Sequence, residues 1–309
     1  MSDRARIFDN PAWAEATPAL SVLIPFLRDD PCDLLAALVA APATGAELVL
    51  LDDGSGDPAL TERIEAALGP LGLPARLVTL AANEGRSRGR NRLAMAARGG
   101  RLLFLDADMR PDSPDFLARW LALIADENPA VAFGGFSLKQ ASQAPRFAVH
   151  RAMAERSECL DAAVRSQTPE KYVYTSNLMV RREVFEAEAF DPGFVGWGWE
   201  DVEWAMRVAR RWPVRHVDIP ATHMGLDDAA ALAGKYEQSA ANFARVVDRH
   251  FAVVSTYPSY RAARRLKRAP GLKAVRPWIK RFALADWPPV AARAFALRLY
   301  RAALYAERV

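Results

Sequence analysis

The first third of the chain alternates short apolar segments with segments of helical spacing, and this alternation limits the fold more than any other feature. Alternating strands and helices form a mainly parallel sheet that helices cover on both faces. The predicted strands are 20–25, 47–51, 75–80 and 101–105, and the predicted helices between them are 33–41, 58–68 and 87–97. The sequence therefore predicts an α/β protein whose ligands bind beyond the carboxyl ends of the strands.

Composition and cysteine spacing predict a globular protein of a reducing compartment. Of the 309 residues, 51% are hydrophobic, which is enough for a large core. Cys32 and Cys159 lie far apart and form neither a metal-binding nor a redox spacing. The charged N-terminus resembles neither a signal peptide nor an anchor, and no segment is long and apolar enough to span a bilayer. We therefore expect a cytoplasmic protein.

The C-terminal segment 251–309 is basic and amphipathic. Residues 261–281 contain many Arg and Lys and no Asp or Glu, and apolar residues recur among arginines over 289–309. Two interpretations remain open: a helical extension packed on the preceding domain, or peripheral contact with an anionic inner membrane face. No feature of this segment favours nucleic-acid binding.

Polar motifs follow the second and third predicted strands. The sequence Asp-Asp-Gly-Ser at 52–55 suits either a turn or a ligand-binding loop. The sequence Asn-Glu-Gly-Arg-Ser-Arg-Gly-Arg-Asn at 83–91 enters the third helix. A helix N-terminus with arginines binds phosphate, but an arginine-rich helix start can equally be solvated. Neither motif is decisive alone.

Two acids, Asp106 and Asp108, directly follow the fourth strand. At a strand end, one carboxylate can bind a ribose hydroxyl while the other binds a hard divalent cation that bridges a diphosphate. An acidic turn before the next helix is the alternative. The preceding buried strand favours a site for Mg²⁺ or Mn²⁺.

Segment 196–204, Gly-Trp-Gly-Trp-Glu-Asp-Val-Glu-Trp, combines indoles with acids. A pyranose can stack its C–H face on Trp, and a carboxylate can act as the base that activates a hydroxyl. The alternative is a helix start whose acids interact with the helix dipole and whose tryptophans belong to the core. The segment predicts a sugar site only in combination with the strand-end motifs.

Together these four motifs resemble the family 2 glycosyltransferases. The resemblance extends from Leu20 to Met224 and implies the GT-A fold, a Rossmann-like, mainly parallel sheet flanked by helices, here with a C-terminal helical extension. The Gly-Trp-Gly-x-Glu-Asp form further resembles β-1,4-galactosyltransferases and chondroitin-type polymerases. Two positions depart from the usual pattern: Gly89 replaces a common Ala, and Trp199 replaces a small residue.

The resemblance also implies a role for each matching residue. Asp53 would hold the nucleotide base, and Asp106 would contact ribose or sugar. The implied donor-binding residues are Pro25, Asp52, Asp53, Asn83, Gly85, Arg90, Asn91 and Asp106. The implied ligands of Mn²⁺ or Mg²⁺ are Asp108 and His223. The implied catalytic base is Asp201, and the implied acceptor-binding residues are Trp197, Trp199 and Glu200.

The implied activity is inverting transfer of a hexose or N-acetylhexosamine from a nucleoside diphosphate sugar, with UDP favoured, to a saccharide or lipid-linked saccharide. We expect an N-terminal segment 1–17, a transferase domain 18–250 with nucleotide (18–110) and acceptor (111–250) halves, and the extension 251–309. Within the acceptor half, a helix is predicted over 147–164 and a strand over 172–180.

Two other classes of protein use similar features. A sugar-nucleotide nucleotidyltransferase would carry a glycine-rich, basic loop after the first strand, but residues 26–30 are Phe-Leu-Arg-Asp-Asp. A non-catalytic carbohydrate-binding protein of the same fold would not need Asp108, Asp201 and His223. The sequence therefore favours the transferase.

Overall fold

A computed structural model describes residues 5–309; residues 1–4 of the predicted N-terminal segment lie outside it. The strands are β1 (Arg6–Asp9), β2 (Leu20–Phe26), β3 (Ala46–Asp52), β4 (Ala75–Thr79), β5 (Arg101–Phe104), β6 (Met109–Pro111), β7 (Val131–Phe133), β8 (Phe136–Ser137), β9 (Leu178–Arg181), β10 (Val214–His216) and β11 (Ala221–His223). They form an eight-stranded sheet in the order β1-β4-β3-β2-β5-β9-β7-β10 and a three-stranded sheet in the order β6-β11-β8.

The helices connect these strands and then continue as a C-terminal group. They are α1 (Cys32–Leu38), α2 (Pro58–Leu68), α3 (Arg86–Ala96), α4 (Phe116–Asp126), α5 (Ala148–Ser157), α6 (Ala162–Arg165), α7 (Arg182–Ala187), α8 (Glu200–Val208), α9 (Ala229–Val254), α10 (Pro258–Leu266), α11 (Leu272–Leu284) and α12 (Val290–Ala306). Local chemistry explains the start of α2: Asp57 accepts a hydrogen bond from the Leu60 N–H, and Pro58 occupies the first turn.

The predicted α/β fold is confirmed. Strands β4, β3, β2 and β5 are mutually parallel, whereas β1 and β9 run antiparallel to their neighbours. Successive residues of the central strands face opposite sides of the sheet: Leu48 and Leu50 pack with α1 and α2, while Val49 and Leu51 pack with α3 and α8. Helices therefore cover both faces of the sheet, which explains why the sequences of the central strands are continuously apolar.

The acceptor half differs from the sequence expectation in two places. The strand predicted over 172–180 begins only at Leu178, because residues Thr175–Asn177 form a turn of 3₁₀ helix. The Asn177 side-chain amide donates hydrogen bonds to the Gly135 and Ile219 carbonyls, both at 2.9 Å, and this holds the turn. The helix predicted over 147–164 is interrupted, since α5 ends at Ser157. At Thr175–Asn177, long-range contacts outweighed the local preference for a strand.

Four helices, α9 to α12, follow the last strand. Helix α12 buries Leu297 and Tyr300 in an apolar cluster with Val149 of α5 and Leu232 of α9. Position 250, where the sequence predicts a domain boundary, lies inside α9, and His250 there has non-helical backbone angles (φ −129°, ψ 36°). Within residues 5–309, no helix has both the length and the apolar character required to cross a bilayer.

Candidate active site

A cavity of about 1180 Å³ opens where β2, β3 and β5 end. Strand ends contribute Pro25, Asp53 and Asp106 to its wall, and α12 also contributes residues to it. This is the edge at which parallel α/β sheets bind ligands. The predicted site residues that line the cavity are Pro25, Asp53, Asn83, Gly85, Arg90, Asp106, Asp108, Trp197, Trp199, Glu200, Asp201 and His223.

Two predicted donor-binding residues, Asp52 and Asn91, do not line the cavity. The buried Asp52 carboxylate accepts a hydrogen bond from the Ser55 N–H at 2.7 Å and shapes its own turn. Asn91 forms two hydrogen bonds with the backbone of Phe190, at 2.9 and 3.1 Å. Both side chains therefore hold loops in place instead of reaching the ligand space.

Asp53 joins two loops of the cavity wall. Its carboxylate accepts hydrogen bonds from the Glu84 N–H at 2.8 Å and the Gly85 N–H at 3.0 Å, and burial raises its pKa. The loops approach closely because Gly54 has φ +80° and lacks a side chain; a Cβ there would lie 2.5 Å from the Asn83 nitrogen. The loop at 52–55 is thus fixed against residues 83–85.

Arg86 and Arg90 connect the two sides of the cavity from one face of α3. Arg90 donates to Asp106 at 2.8 Å, and Arg86 donates to Glu200 at 2.8 Å while its Nη2 lies 3.6 Å from Asp106. Arg90 is only 2% exposed, yet its Nε and Nη1 have no hydrogen-bond partner among residues 5–309. Buried donors without partners indicate a place where a ligand can bind.

Sequence reasoning assigned no role to Arg86. The signal that could have identified it is its spacing: Arg86 and Arg90 are four residues apart on a predicted helix, so their side chains share a face. Once Arg90 is placed at the strand ends, Arg86 must lie beside it.

Asp201 lies in the first turn of α8, beside the buried Glu200. Burial and the Glu200 charge raise its pKa to about 7, although Arg90 and Arg86 act in the opposite direction. Its Oδ1 accepts a hydrogen bond from the Val202 N–H at 3.0 Å. A carboxylate with a pKa near neutrality suits general base catalysis, because it is both ionised and able to accept a proton.

The two tryptophans before Asp201 have different surroundings. Trp199, whose φ of 75° is unusual for a large residue, donates its indole N–H to the Tyr305 hydroxyl at 2.9 Å and packs on Phe243 at 4.9 Å between ring centroids. Trp197 lies 6.1 Å from the Tyr236 ring. The Trp199 N–H is therefore already bonded to α12, and only its ring remains for an acceptor.

Asp108 and His223 meet because β11 pairs with β6 and brings His223 opposite Met109. The His223 Nε2 lies 3.2 Å from the Asp108 Oδ2. Burial opposes both charges, but the hydrogen bond and attraction between them outweigh it, so the His223 pKa is raised and the Asp108 pKa is lowered. This hydrogen bond holds the two side chains next to each other.

This pair fits a divalent cation. A carboxylate oxygen and an imidazole nitrogen are ligands that Mn²⁺ accepts. Gly225 keeps the space around the carboxylate open, since a Cβ there would lie 2.0 Å from the Asp108 Oδ2. Across residues 5–309, no group of three or more His, Cys, Asp or Glu side chains is arranged to hold a metal.

Comparison with sequence families gives one relevant match. A family model described as glycosyl transferase family 2 matches residues 21–188. The matched range includes the motifs at 52–55, 83–91 and 106–108, and ends before segment 196–204. No curated protein sequence matches the chain.

Solved structures share the fold. A mannosyltransferase, PcManGT from Pyrobaculum calidifontis in complex with GDP-Man and Mn²⁺, is 16% identical, covers 97% of this chain and 89% of its own, and has a TM-score of 0.58. Residues 1–349 of S. aureus TarS, in complex with UDP, are 16% identical to this chain. The match covers 94% of this chain and 91% of the TarS chain, with a TM-score of 0.51. At this identity the similarity establishes the architecture alone.

Proposed function

This chain belongs to glycosyl transferase family 2, and on that premise we propose an inverting, metal-dependent transfer of a hexose or N-acetylhexosamine to a saccharide or glycolipid hydroxyl. The donor is a nucleoside diphosphate sugar, with UDP as the favoured nucleotide. The observation that carries the proposal is that Asp201, whose pKa is raised to about 7, lies in the same cavity as the Asp108–His223 pair. The GDP-Man, UDP and Mn²⁺ in the related structures support the donor class and the metal.

The reaction is a single displacement. Asp201 accepts the proton of the acceptor hydroxyl, whose oxygen forms a bond to the anomeric carbon as the bond from that carbon to the diphosphate breaks. The leaving electron pair stays on the diphosphate. Arg86 and Arg90 hold Glu200 and Asp106 on either side of the reacting centre. A divalent cation held by Asp108 and His223 would stabilise the departing diphosphate.

A panel of nucleotide sugars tests the function. With Mn²⁺, a transferase releases the nucleoside diphosphate from UDP-glucose, UDP-galactose, UDP-N-acetylglucosamine or GDP-mannose, and the rate rises when an acceptor is present. A nucleotidyltransferase would instead consume pyrophosphate or release it, and a carbohydrate-binding protein would release neither. Chromatography of the nucleotide products after incubation distinguishes the three, and absence of nucleoside diphosphate with every donor would reject the proposal.

The transfer rate should depend on pH through Asp201. We expect kcat/KM to rise about tenfold per pH unit below pH 7 and to level off above it, because only the ionised carboxylate accepts a proton. Initial rates from about pH 5.5 to about pH 8.5 measure this. Loss of metal at low pH is excluded by repeating the profile at two Mn²⁺ concentrations: a midpoint that moves with Mn²⁺ would assign the titration to His223 instead.

Helix α11 and the connection that follows it expose aromatic and cationic side chains, which supports peripheral membrane contact from the cytoplasm. Trp278 is 67% exposed and Trp287 is 79% exposed, and both lie close in sequence to Lys280 and Arg281. Exposed tryptophans beside lysines and arginines suit an anionic lipid interface.

Vesicle sedimentation tests this contact. We expect the protein to sediment with phosphatidylserine-containing vesicles at low salt, and the Trp278→Ala/Trp287→Ala protein to bind about tenfold more weakly. Met95→Ala, which removes an 83%-exposed apolar side chain from α3, should bind as the unchanged protein does. No sedimentation at low salt would reject the membrane contact.

A further inference from the structure

One face of α12 points into the cavity. Arg298, Arg301 and Tyr305 recur at helical spacing and line the cavity wall, and Arg156 of α5 lines the same region. None of these residues belongs to the motifs that carry the family resemblance. The proposed transfer reaction uses none of the three arginines.

The three arginines are not paired with any carboxylate of the described residues. Among the described residues, Arg156, Arg298 and Arg301 have no hydrogen bond or ion pair with a carboxylate; Arg301 instead lies 5.1 Å from the centroid of the Tyr236 ring. Burial and the charges of Arg156 and Arg301 lower the Arg298 pKa, so the guanidinium groups are close enough to repel one another. Uncompensated like charges in a cavity favour an anionic ligand.

One carboxylate, Glu158, lies within electrostatic reach of Arg301. Burial raises the Glu158 pKa, and no salt bridge joins the two side chains in the described part of the chain. A single carboxyl group does not neutralise three guanidinium groups. The cluster therefore keeps a net positive charge.

The cluster lies near Trp197, one of the residues implied to bind the acceptor. The half-buried Tyr174 lines the same cavity as Asp201 and Arg301. Tyr236 contacts Trp197 on one side and Arg301 on the other. An aromatic surface that can stack on a sugar thus adjoins the cationic cluster.

We propose that Arg156, Arg298 and Arg301 form a subsite for an anionic group, phosphate or carboxylate, carried by the acceptor saccharide. The guanidinium groups bind the anion through paired N–H donors, while the neighbouring rings contact the sugar. The inference rests on the proposed transferase function and specifies its acceptor. Neutral saccharides lack the group that the cluster recognises.

Binding of simple sugars tests the subsite without turnover. The probes are glucose, glucose 6-phosphate and glucuronic acid, titrated by calorimetry with saturating UDP and Mn²⁺ so that the donor site is filled. We expect both anionic probes to bind about tenfold or more tightly than glucose. The two anionic probes separate phosphate from carboxylate recognition.

Charge variants test whether the arginine cluster causes the preference for anionic sugars. Arg298→Gln/Arg301→Gln should bind all three sugars alike, whereas Arg298→Lys/Arg301→Lys should keep part of the preference. Arg264→Gln/Arg308→Gln also removes two charges but lies outside the cavity wall, so it should keep the preference in full. Thermal melting checks that each variant is folded.

Three results would overturn the subsite: equal binding of neutral and anionic probes, a preference that survives the glutamine pair, or a loss of UDP affinity in that pair, which would place the cluster at the donor. Failure of the transferase proposal is distinguishable, because it would appear as no nucleotide release from any nucleotide sugar. The Asp201→Asn protein should retain the anionic preference.

Discussion

Replacement of Asp201 by Asn is expected to lower the transfer rate by about a hundred- to ten-thousandfold. The amide has nearly the same shape, and its oxygen can still accept the hydrogen bond from the Val202 N–H that Asp201 Oδ1 accepts at 3.0 Å. It cannot accept a proton from the acceptor hydroxyl. The effect should therefore fall on kcat, with little change in the dissociation constant of the nucleotide sugar.

The fold should not be weakened by this substitution. Burial and Glu200 raise the Asp201 pKa to about 7, so at pH 8 the ionised side chain is held against an unfavourable environment. A neutral amide removes that cost, and we expect an unchanged or higher melting temperature at pH 8. Low activity accompanied by unfolding would leave the base role without support.

Steady-state rates and calorimetric binding of the donor measure both quantities. Asp248→Asn, an exposed carboxylate on α9 outside the cavity wall, is the matched control and should behave as the unchanged protein. A near-normal rate in Asp201→Asn with normal donor binding would assign the base to another group.

Replacement of Gly225 by Ala is expected to weaken Mn²⁺ binding by about 10- to 100-fold. This range is typical when a residue that positions a metal ligand is mutated. The added Cβ would lie 2.0 Å from the Asp108 Oδ2, which forces the carboxylate away from His223. The substitution leaves both proposed ligands chemically intact. It therefore tests their geometry instead of their identity.

Gly234→Ala is the matched control for this substitution. Gly234 lies in α9, and a Cβ there meets nothing within 4 Å. Alanine should leave Mn²⁺ binding unchanged and stabilise the helix by up to about 1 kcal/mol.

Mn²⁺ titration by calorimetry, together with the Mn²⁺ dependence of the transfer rate, measures the effect of Gly225→Ala. Equal Mn²⁺ affinity in Gly225→Ala and Gly234→Ala would show that Asp108 does not bind the metal. Activity that survives exhaustive chelation would remove Asp108 and His223 from their proposed roles altogether.

The nucleotide half of the fold was predictable because its signals are local. Apolar runs that end in polar motifs predict β2 to β5 and the intervening helices, and each strand end then places its motif at one edge of the sheet. Side-chain direction was less predictable. Asp52 and Asp53 are adjacent in sequence, yet Asp53 lines the cavity while Asp52 closes its own turn.

The acceptor half was predicted less well for a related reason. The residues around Asn177 favour a strand by composition, but the bonds from Asn177 to two distant carbonyls impose a turn. Short segments with mixed preferences follow whichever tertiary contacts satisfy their polar groups. Those contacts are not visible in a single sequence.

The sequence by itself determined the α/β architecture, the strand-end motifs and the acids of segment 196–204, since these depend on periodicity and neighbouring residues. Only the tertiary structure joined His223 to Asp108, which are 115 residues apart, and Trp199 to Tyr305, which are 106 apart. It also packed α12 against the cavity and so brought Arg298 and Arg301 to its wall. Such contacts arise from the packing of whole helices and sheets, and that packing follows from burial of apolar surface summed over the chain.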